Sequence, residues 1–184
     1  GYIKRVPAAT YRAQRRGGRG VTGMTTREED FVESVFSAST HDYLLFFTNR
    51  GRVHRRKGYQ IPEAGRTAKG TNIVNILPLE AGERVTAGIT VHDFDEDYLM
   101  LVTKNATVKR LELSALYTAR KAGIRALTIA EDDELIAVLK TSGENNIILA
   151  TAGGMAICFC ETDVRVMGRD AAGVRGMALG AGDY

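Results

Sequence analysis

Residues 14–20 read QRRGGRG, three arginines and three glycines in seven positions. The chemistry open to such a stretch is the holding of oxyanions. Glycine accepts positive φ and lets backbone N–H groups approach a phosphate closely, and the planar guanidinium of arginine gives paired hydrogen bonds to phosphate oxygens. Gln14 adds an amide able to hydrogen-bond a sugar–phosphate backbone or to pin the loop. In unstructured RGG segments the two residue types recur many times in low-complexity sequence. Here they occur once, so the element that carries them decides between a grip and a solvated surface turn.

That element is a repeat. The stretches YLLFFTNRGRVHR (43–55), YLMLVTKNATVKR (98–110) and NIILATAGGMAIC (146–158) each give an apolar strand, a threonine, a short turn and a second strand. Thr48 and Thr103 stand 55 residues apart, and Thr103 and Thr151 stand 48 apart. The opening GYIKR (1–5) matches GRVHR (51–55) and reads as the second half of such a hairpin. A further marker recurs in RRGGRGVTGM (15–24), GRTAKGTNIV (65–74), RKAGIRALTI (120–129) and DAAGVRGMAL (170–179). Aligned on charge, it sets Arg19, Lys69, Arg125 and Arg175 in one register, at spacings of 50, 56 and 50. The units run over 1–42, 43–97, 98–145 and 146–184 within a single domain, 1–184.

Each unit reads as strands. YLLFF and YLMLV are rich in branched and aromatic residues and are followed by turn residues, and ERVTAGITV (83–91) and DELIAVLKT (133–141) read as further strands. LSALYTARK (113–121) holds a helical turn or two at most. Four-stranded units at this period predict an all-β, propeller-like array with about three and a half to four blades in the chain.

The 184 residues have an ordinary globular composition, 44% hydrophobic and 26% charged, with a net charge of +3. The distribution of charge is more telling than the sum. Windows 1–20, 50–70 and 104–125 hold 19 of the 25 Lys and Arg but only Glu63 and Glu112 among the 22 acids. In RAQRR (12–16), VHRRK (53–57) and TVKR (107–110), strand alternation predicts charges on one exposed face. Lys4, Arg5, Arg12, Arg55, Arg56, Lys57, Arg66, Lys69, Lys109, Arg110, Arg120 and Lys121 then join the box (Gln14, Arg15, Arg16, Gly17, Gly18, Arg19, Gly20), Arg125 and Arg175 in a basic stripe. The fourth unit carries Ile157-Cys158-Phe159 at this phase and contributes mainly through Arg169 and Arg175. A convex basic rim suits a regular polyanion, duplex DNA, bound without reading bases. A propeller-type platform for an acidic protein partner is the competing reading.

Catalysis finds little support. Asp93, Asp95 and Asp97 form D-x-D-x-D, but Tyr98 and Lys104 stand where a calcium loop needs Gly and Glu. An acidic turn is expected there rather than a metal site or a nuclease centre. Cys158 and Cys160 read as two small buried thiols, and His41, His54 and His92 lie in separate segments. The longest apolar runs are too short to span a bilayer, and the chain opens on Gly1 with no signal peptide, so a cytoplasmic protein cut from a longer one is expected.

QRRGGRG, set after an IKR-type strand and before GVTGM, resembles the box of the C-terminal DNA-wrapping domain of the DNA gyrase A protein, and the T-x-x-G-x-V-x-R hairpins resemble that family's blade repeat. The similarity runs over essentially the whole chain; Arg19 stands where many members have Lys. The related domain of topoisomerase IV has similar blades with a missing or degraded box. The resemblance implies a β-pinwheel, of which this chain is part of a six-bladed disc, that wraps double-stranded DNA around its perimeter for an ATP-dependent type II topoisomerase of the bacterial cytoplasm and chromosome. It implies no cofactor in this chain: ATP and Mg²⁺ would act through other domains, with the rest of the gyrase A protein and the gyrase B protein as partners and no membrane. It also implies that Tyr11 is not the strand-cleaving tyrosine.

Overall fold

The computed structural model describes residues 1–24, 26, 30–95, 97–120 and 122–184. It is all-β, as the runs of branched and aromatic residues bounded by turn residues predict. The strands are β1 (Tyr2–Ile3), β2 (Tyr43–Thr48), β3 (Arg52–Lys57), β4 (Thr71–Asn72), β5 (Val85–Val91), β6 (Tyr98–Thr103), β7 (Thr107–Glu112), β8 (Ile124–Arg125), β9 (Leu135–Thr141), β10 (Asn146–Ala150), β11 (Ala156–Cys160) and β12 (Val174–Arg175). Helical structure among the described residues is limited to single 3₁₀ turns, one of them at Leu113–Leu116, and no helix is long and apolar enough to cross a membrane.

Two four-stranded antiparallel sheets, ordered β5-β2-β3-β8 and β12-β7-β6-β9, are flanked by the two-stranded pairs β1-β4 and β10-β11. The connectivity interlocks the repeats. The hairpin β2–β3 takes β5 from its own unit, but its outer strand β8 comes from the unit that follows; β7 likewise pairs with β12 from further along the chain.

Stacking explains why YLLFF and YLMLV are apolar without interruption. Leu45 and Phe47 face the core between the two four-stranded sheets, where they meet Leu99, Leu101, Leu111 and Leu116. Leu44 and Phe46 face the opposite way, onto Ile61 and Leu77, while Met100 and Val102 pack on Val108, Ile147 and Met167. A strand buried on both faces loses its polar alternation. Two of the recurring threonines close their hairpin turns through the side chain, and the third ties its hairpin to the residues leading into β5. Thr103 Oγ1 accepts the Thr107 N–H at 3.1 Å, Thr151 Oγ1 accepts the Met155 N–H at 3.2 Å, and Thr48 donates to Glu83 at 2.7 Å. The third residue after each threonine takes positive φ: Gly51 at 71°, Ala106 at 57° and Gly154 at 85°.

A second set of positive-φ residues introduces the outer strands. Gly70, Gly123 and Gly173 (φ 89°, 82° and 92°) immediately precede β4, β8 and β12. A Cβ at Gly173 would stand 2.6 Å from the Val108 carbonyl oxygen, inside the contact between β12 and β7. Gly173→Ala is therefore expected to destabilise the fold by about 1–3 kcal/mol in urea titrations. Gly168→Ala, where an added Cβ meets nothing within 4 Å, is expected to be close to neutral.

Candidate nucleic-acid interface

The box is an exposed turn. The Gly18 N–H donates to the Arg15 carbonyl at 2.9 Å, and Gly17 and Gly20 take φ of 84° and 70°. The Gln14 side chain lies against the bend: a Cβ on Gly18 would come within 2.7 Å of its Oε1, so Gly18 is the residue that lets the amide close over the turn. Arg12, Arg15, Arg16 and Arg19 are all exposed, and among the described residues no carboxylate lies within ion-pair distance of them. The next basic turn is tied to this one, since Arg66 Nη1 donates to the Thr22 carbonyl at 3.3 Å.

Three cationic or polar side chains at one repeat phase point the other way. Lys109 is 0% exposed, and its ammonium donates to the carbonyls of Ala126, Arg169 and Ala171 at 2.8, 2.7 and 2.9 Å. Lys4 does the same one unit pair earlier, to Gly65 and Ala68 at 3.0 and 2.9 Å and to Arg66 at 2.5 Å. His54, 0% exposed, occupies the equivalent place and packs beneath Gly123, where a Cβ would stand 2.6 Å from the imidazole Cε1. These residues fasten a hairpin to the turn that leads into its outer strand.

The stripe drawn from the sequence is therefore corrected at several places. Lys109 does not line an exposed face, because the strand that carries it is covered by the 168–171 turn. Arg110, 7% exposed, stacks 4.1 Å from the Tyr98 ring centre and lies 3.3 Å from the fully buried Glu161 carboxylate. Arg56, 5% exposed, donates twice to the Ile76 carbonyl and once to that of Arg55. Lys4 is held by carbonyls, and Arg5 pairs with Glu63 at 3.1 Å. Lys121 lies outside the described residues. Burial works to raise the Glu161 carboxyl, but hydrogen bonds from Thr141 Oγ1 and the N–H groups of Asn145 and Gly143, with Arg110 nearby, hold it below the usual carboxylate range.

The charge-based register also shifts. Aligned on the positive-φ glycines and on strand pairing, Lys69 precedes Gly70 as Arg19 precedes Gly20, whereas Arg125 and Arg175 lie two residues after Gly123 and Gly173, inside the outer strands. Ala122 and Ala172 hold the places equivalent to Lys69. Arg125 and Arg175 remain exposed, opposite Arg52 and Thr107. Arg120 is exposed, and Arg55, Lys57, Arg66 and Lys69 are half-buried. Lys57 and Lys69 rest on aromatic faces, 3.3 Å from the Tyr43 ring centre and 3.7 Å from that of Tyr2. These lie on the surface with the box arginines; Lys104 and Arg165 are exposed as well, and Arg50, Arg84 and Lys140 are exposed but each paired with a carboxylate. Cys158 corrects another expectation: it is exposed, on β11, and Cys160 is half-buried.

A family profile described as DNA gyrase C-terminal domain, beta-propeller, matches residues 1–39, 42–92, 97–142 and 145–184. The DNA gyrase A protein of Clostridium acetobutylicum is 50% identical over 177 residues, covering 96% of this chain and 21% of the relative. That of Halalkalibacterium halodurans is 50% identical over 179 residues, covering 97% and 22%. The chain thus spans about a fifth of the length of these curated relatives. Among solved structures, the C-terminal domain of DNA topoisomerase IV superposes with a TM-score of 0.84 at 31% identity, over all of this chain and 56% of the other. A DNA gyrase A C-terminal domain superposes with a TM-score of 0.74 at 27% identity, over all of this chain and 59% of the other.

The inward lysine can be tested apart from any ligand. Lys109→Met leaves three carbonyls without their donor and is expected to destabilise the fold by about 3 kcal/mol. Desolvation by burial pushes the Lys109 ammonium down to about 8. An unfolded lysine keeps its proton to about 10.4. Between these values the unfolded chain binds more protons, so this residue's contribution to stability rises with pH, a rise that urea titrations at stepped pH should show in the wild type and not in Lys109→Met. The folded variant should keep the salt slope of DNA binding; a fall of about 0.9 would return Lys109 to the contact surface.

Proposed function

We infer, from the fact that the chain belongs to the family of DNA gyrase C-terminal domains, that it binds duplex DNA without reading sequence and bends it around a basic perimeter. In this reading the chain is a non-catalytic part of the A protein of DNA gyrase, a bacterial, ATP-dependent type II topoisomerase. It wraps DNA so that strand passage introduces negative supercoils, and it works with the rest of the gyrase A protein and with the gyrase B protein in the cytoplasm, on the chromosome. ATP and Mg²⁺ act elsewhere in the assembly. The gyrase family profile, which matches nearly the whole chain, and the 50% identity to gyrase A proteins favour gyrase over topoisomerase IV.

The observation that carries the reading is the box. Three arginines, Arg15, Arg16 and Arg19, stand exposed on one glycine turn, with Arg12 exposed just before it and no carboxylate to neutralise them among the described residues, whereas the cations of the hairpins are largely engaged by carbonyls and rings. Unneutralised guanidinium groups displace condensed counterions from DNA, which is the main source of nonspecific affinity. Smooth bending of a 20–30 bp site by 40–90° costs roughly 1–6 kcal/mol, so a wrap needs a continuous track. The box anchors that track at one end, and Lys57, Arg66, Lys69, Arg120, Arg125 and Arg175 continue it.

Replacing Arg15, Arg16 and Arg19 together by Ala in the full-length protein should lower the salt slope of linear-DNA binding by about 2–3. The topological shift imposed on a closed circle should fall by a larger factor than linear binding does. An unchanged topological shift, or equal loss in both assays, would refute an anchoring role for the box.

A further inference from the structure

A groove of about 650 Å³ opens where the end of β3 faces residues 119–120 of the following unit. Its lining includes Tyr43, Arg55, Lys57, Gln60, Asn75 and Arg120, and among the described residues that line it there is no carboxylate. Arg56 also reaches it, though its guanidinium is committed to the Ile76 carbonyl.

Two cations of this groove, Arg55 and Lys57, are held in place. Arg55 donates through Nη1 to the Tyr117 carbonyl, and its guanidinium carbon sits between two rings, 4.9 Å from the centre of Tyr43 and 5.4 Å from that of Tyr117. Lys57 Nζ stands 3.3 Å from the Tyr43 ring centre and gives one hydrogen bond, 2.9 Å, to the His41 carbonyl. The rings are themselves braced, with Phe94 edge-on to Tyr43 at 5.3 Å and to Tyr117 at 5.5 Å. Arg120 is exposed and, among the described residues, makes no ion pair. An ammonium has three donors and a guanidinium five, so Arg55 and Lys57 retain donors after these bonds. Stacking on aromatic faces fixes a cation without neutralising it. The amides of Gln60 and Asn75 supply neutral donors on the same walls.

We propose that this groove is a phosphate seat: Arg55, Lys57 and Arg120 converge on one phosphate oxyanion at the seam between the second and third repeat units. Its ligand is a backbone phosphate of the bound duplex, an assignment that rests on the DNA-wrapping reading, while the oxyanion chemistry stands without it. A seat of this kind does what a convex stripe of long side chains cannot. It fixes one phosphate at a defined depth, so that the path of the strand is registered at the seam.

The test uses the full-length protein, with tripolyphosphate and linear duplex DNA as separate probes and the rate of acylation of Lys57 as the local readout. Both probes should slow that acylation in the wild type. Arg120→Ala should weaken protection by tripolyphosphate about tenfold, the loss expected for one charged hydrogen-bond partner. Arg120→Ala and Lys57→Gln should each lower the salt slope of DNA binding by about 0.9, as should Arg175→Ala, which lies outside the groove and should leave tripolyphosphate protection intact. Protection by tripolyphosphate but not by DNA would assign the seat to free oligophosphates and remove the backbone phosphate from it. No protection by either probe, with box variants still weakening DNA binding, overturns the seat and leaves the wrapping reading standing. If box and groove variants alike leave DNA binding unchanged, the wrapping reading is what fails, and tripolyphosphate protection alone then judges the seat.

Discussion

A charge taken out of water must be surrounded by acceptors, and the architecture of this chain is arranged around that requirement. The Lys109 ammonium has no solvent, so three carbonyls from two separate turns close on it, two of them contributed by residues 60 and 62 positions away. Lys4, half-buried, gathers carbonyls in a similar way over 61 to 64 positions. The outer strands β4, β8 and β12 each pair over only two residues, too few to hold a sheet edge unaided. The inward-turned side chains Lys4, His54 and Lys109 and the left-handed glycines make up the difference. Remove the acceptors and the donor becomes an unpaired buried charge; remove the donor and the turn has nothing to hold it against the hairpin.

That constraint sorts the basic residues into two populations. Those facing inward organise the repeat: Lys4, Lys109, Arg56 and Arg110 meet carbonyls, a ring or a carboxylate. Those facing outward keep their charge for solvent or a polyanion, and they cluster on the turns that the inward residues hold. Arg66 and Arg169 show the coupling directly, since each gives its carbonyl to an inward-turned lysine while its own side chain stays half-exposed.

Much of this is legible in the order of residues alone. The threonine spacing locates the hairpins, and the apolar runs at 43–48 and 98–103 announce strands covered on both sides. The direction of the basic side chains is not legible. Alternation distinguishes inside from outside only when one face is wet; in β3 and β7 both faces are covered over much of their length, so Arg56 and Lys109 read as surface charge when they are structural. The register of the second marker fails for a related reason. Charge singles out Arg125 and Arg175, but the residues that geometry repeats are Gly70, Gly123 and Gly173, whose role depends on backbone conformation and close approach. Cys158 is exposed, against expectation, because β11, unlike β3 and β7, has no outer strand beside it among the described residues.

Because each four-stranded sheet closes with a strand from the unit that follows, the unit of structure and the unit of sequence run out of phase. A complete sheet spans Tyr43 to Arg125, the next spans Tyr98 to Arg175, and residues 98–125 serve both. Lineages that duplicate or delete a single sequence repeat therefore alter two sheets at once. A recombination joint is tolerated only where the incoming hairpin finds both a donor for the neighbouring turn and a glycine to receive it. Blade number in such an array is constrained by the compatibility of neighbours rather than by the soundness of any one blade, and divergence between units, such as His54 among lysines, has to be read two units at a time.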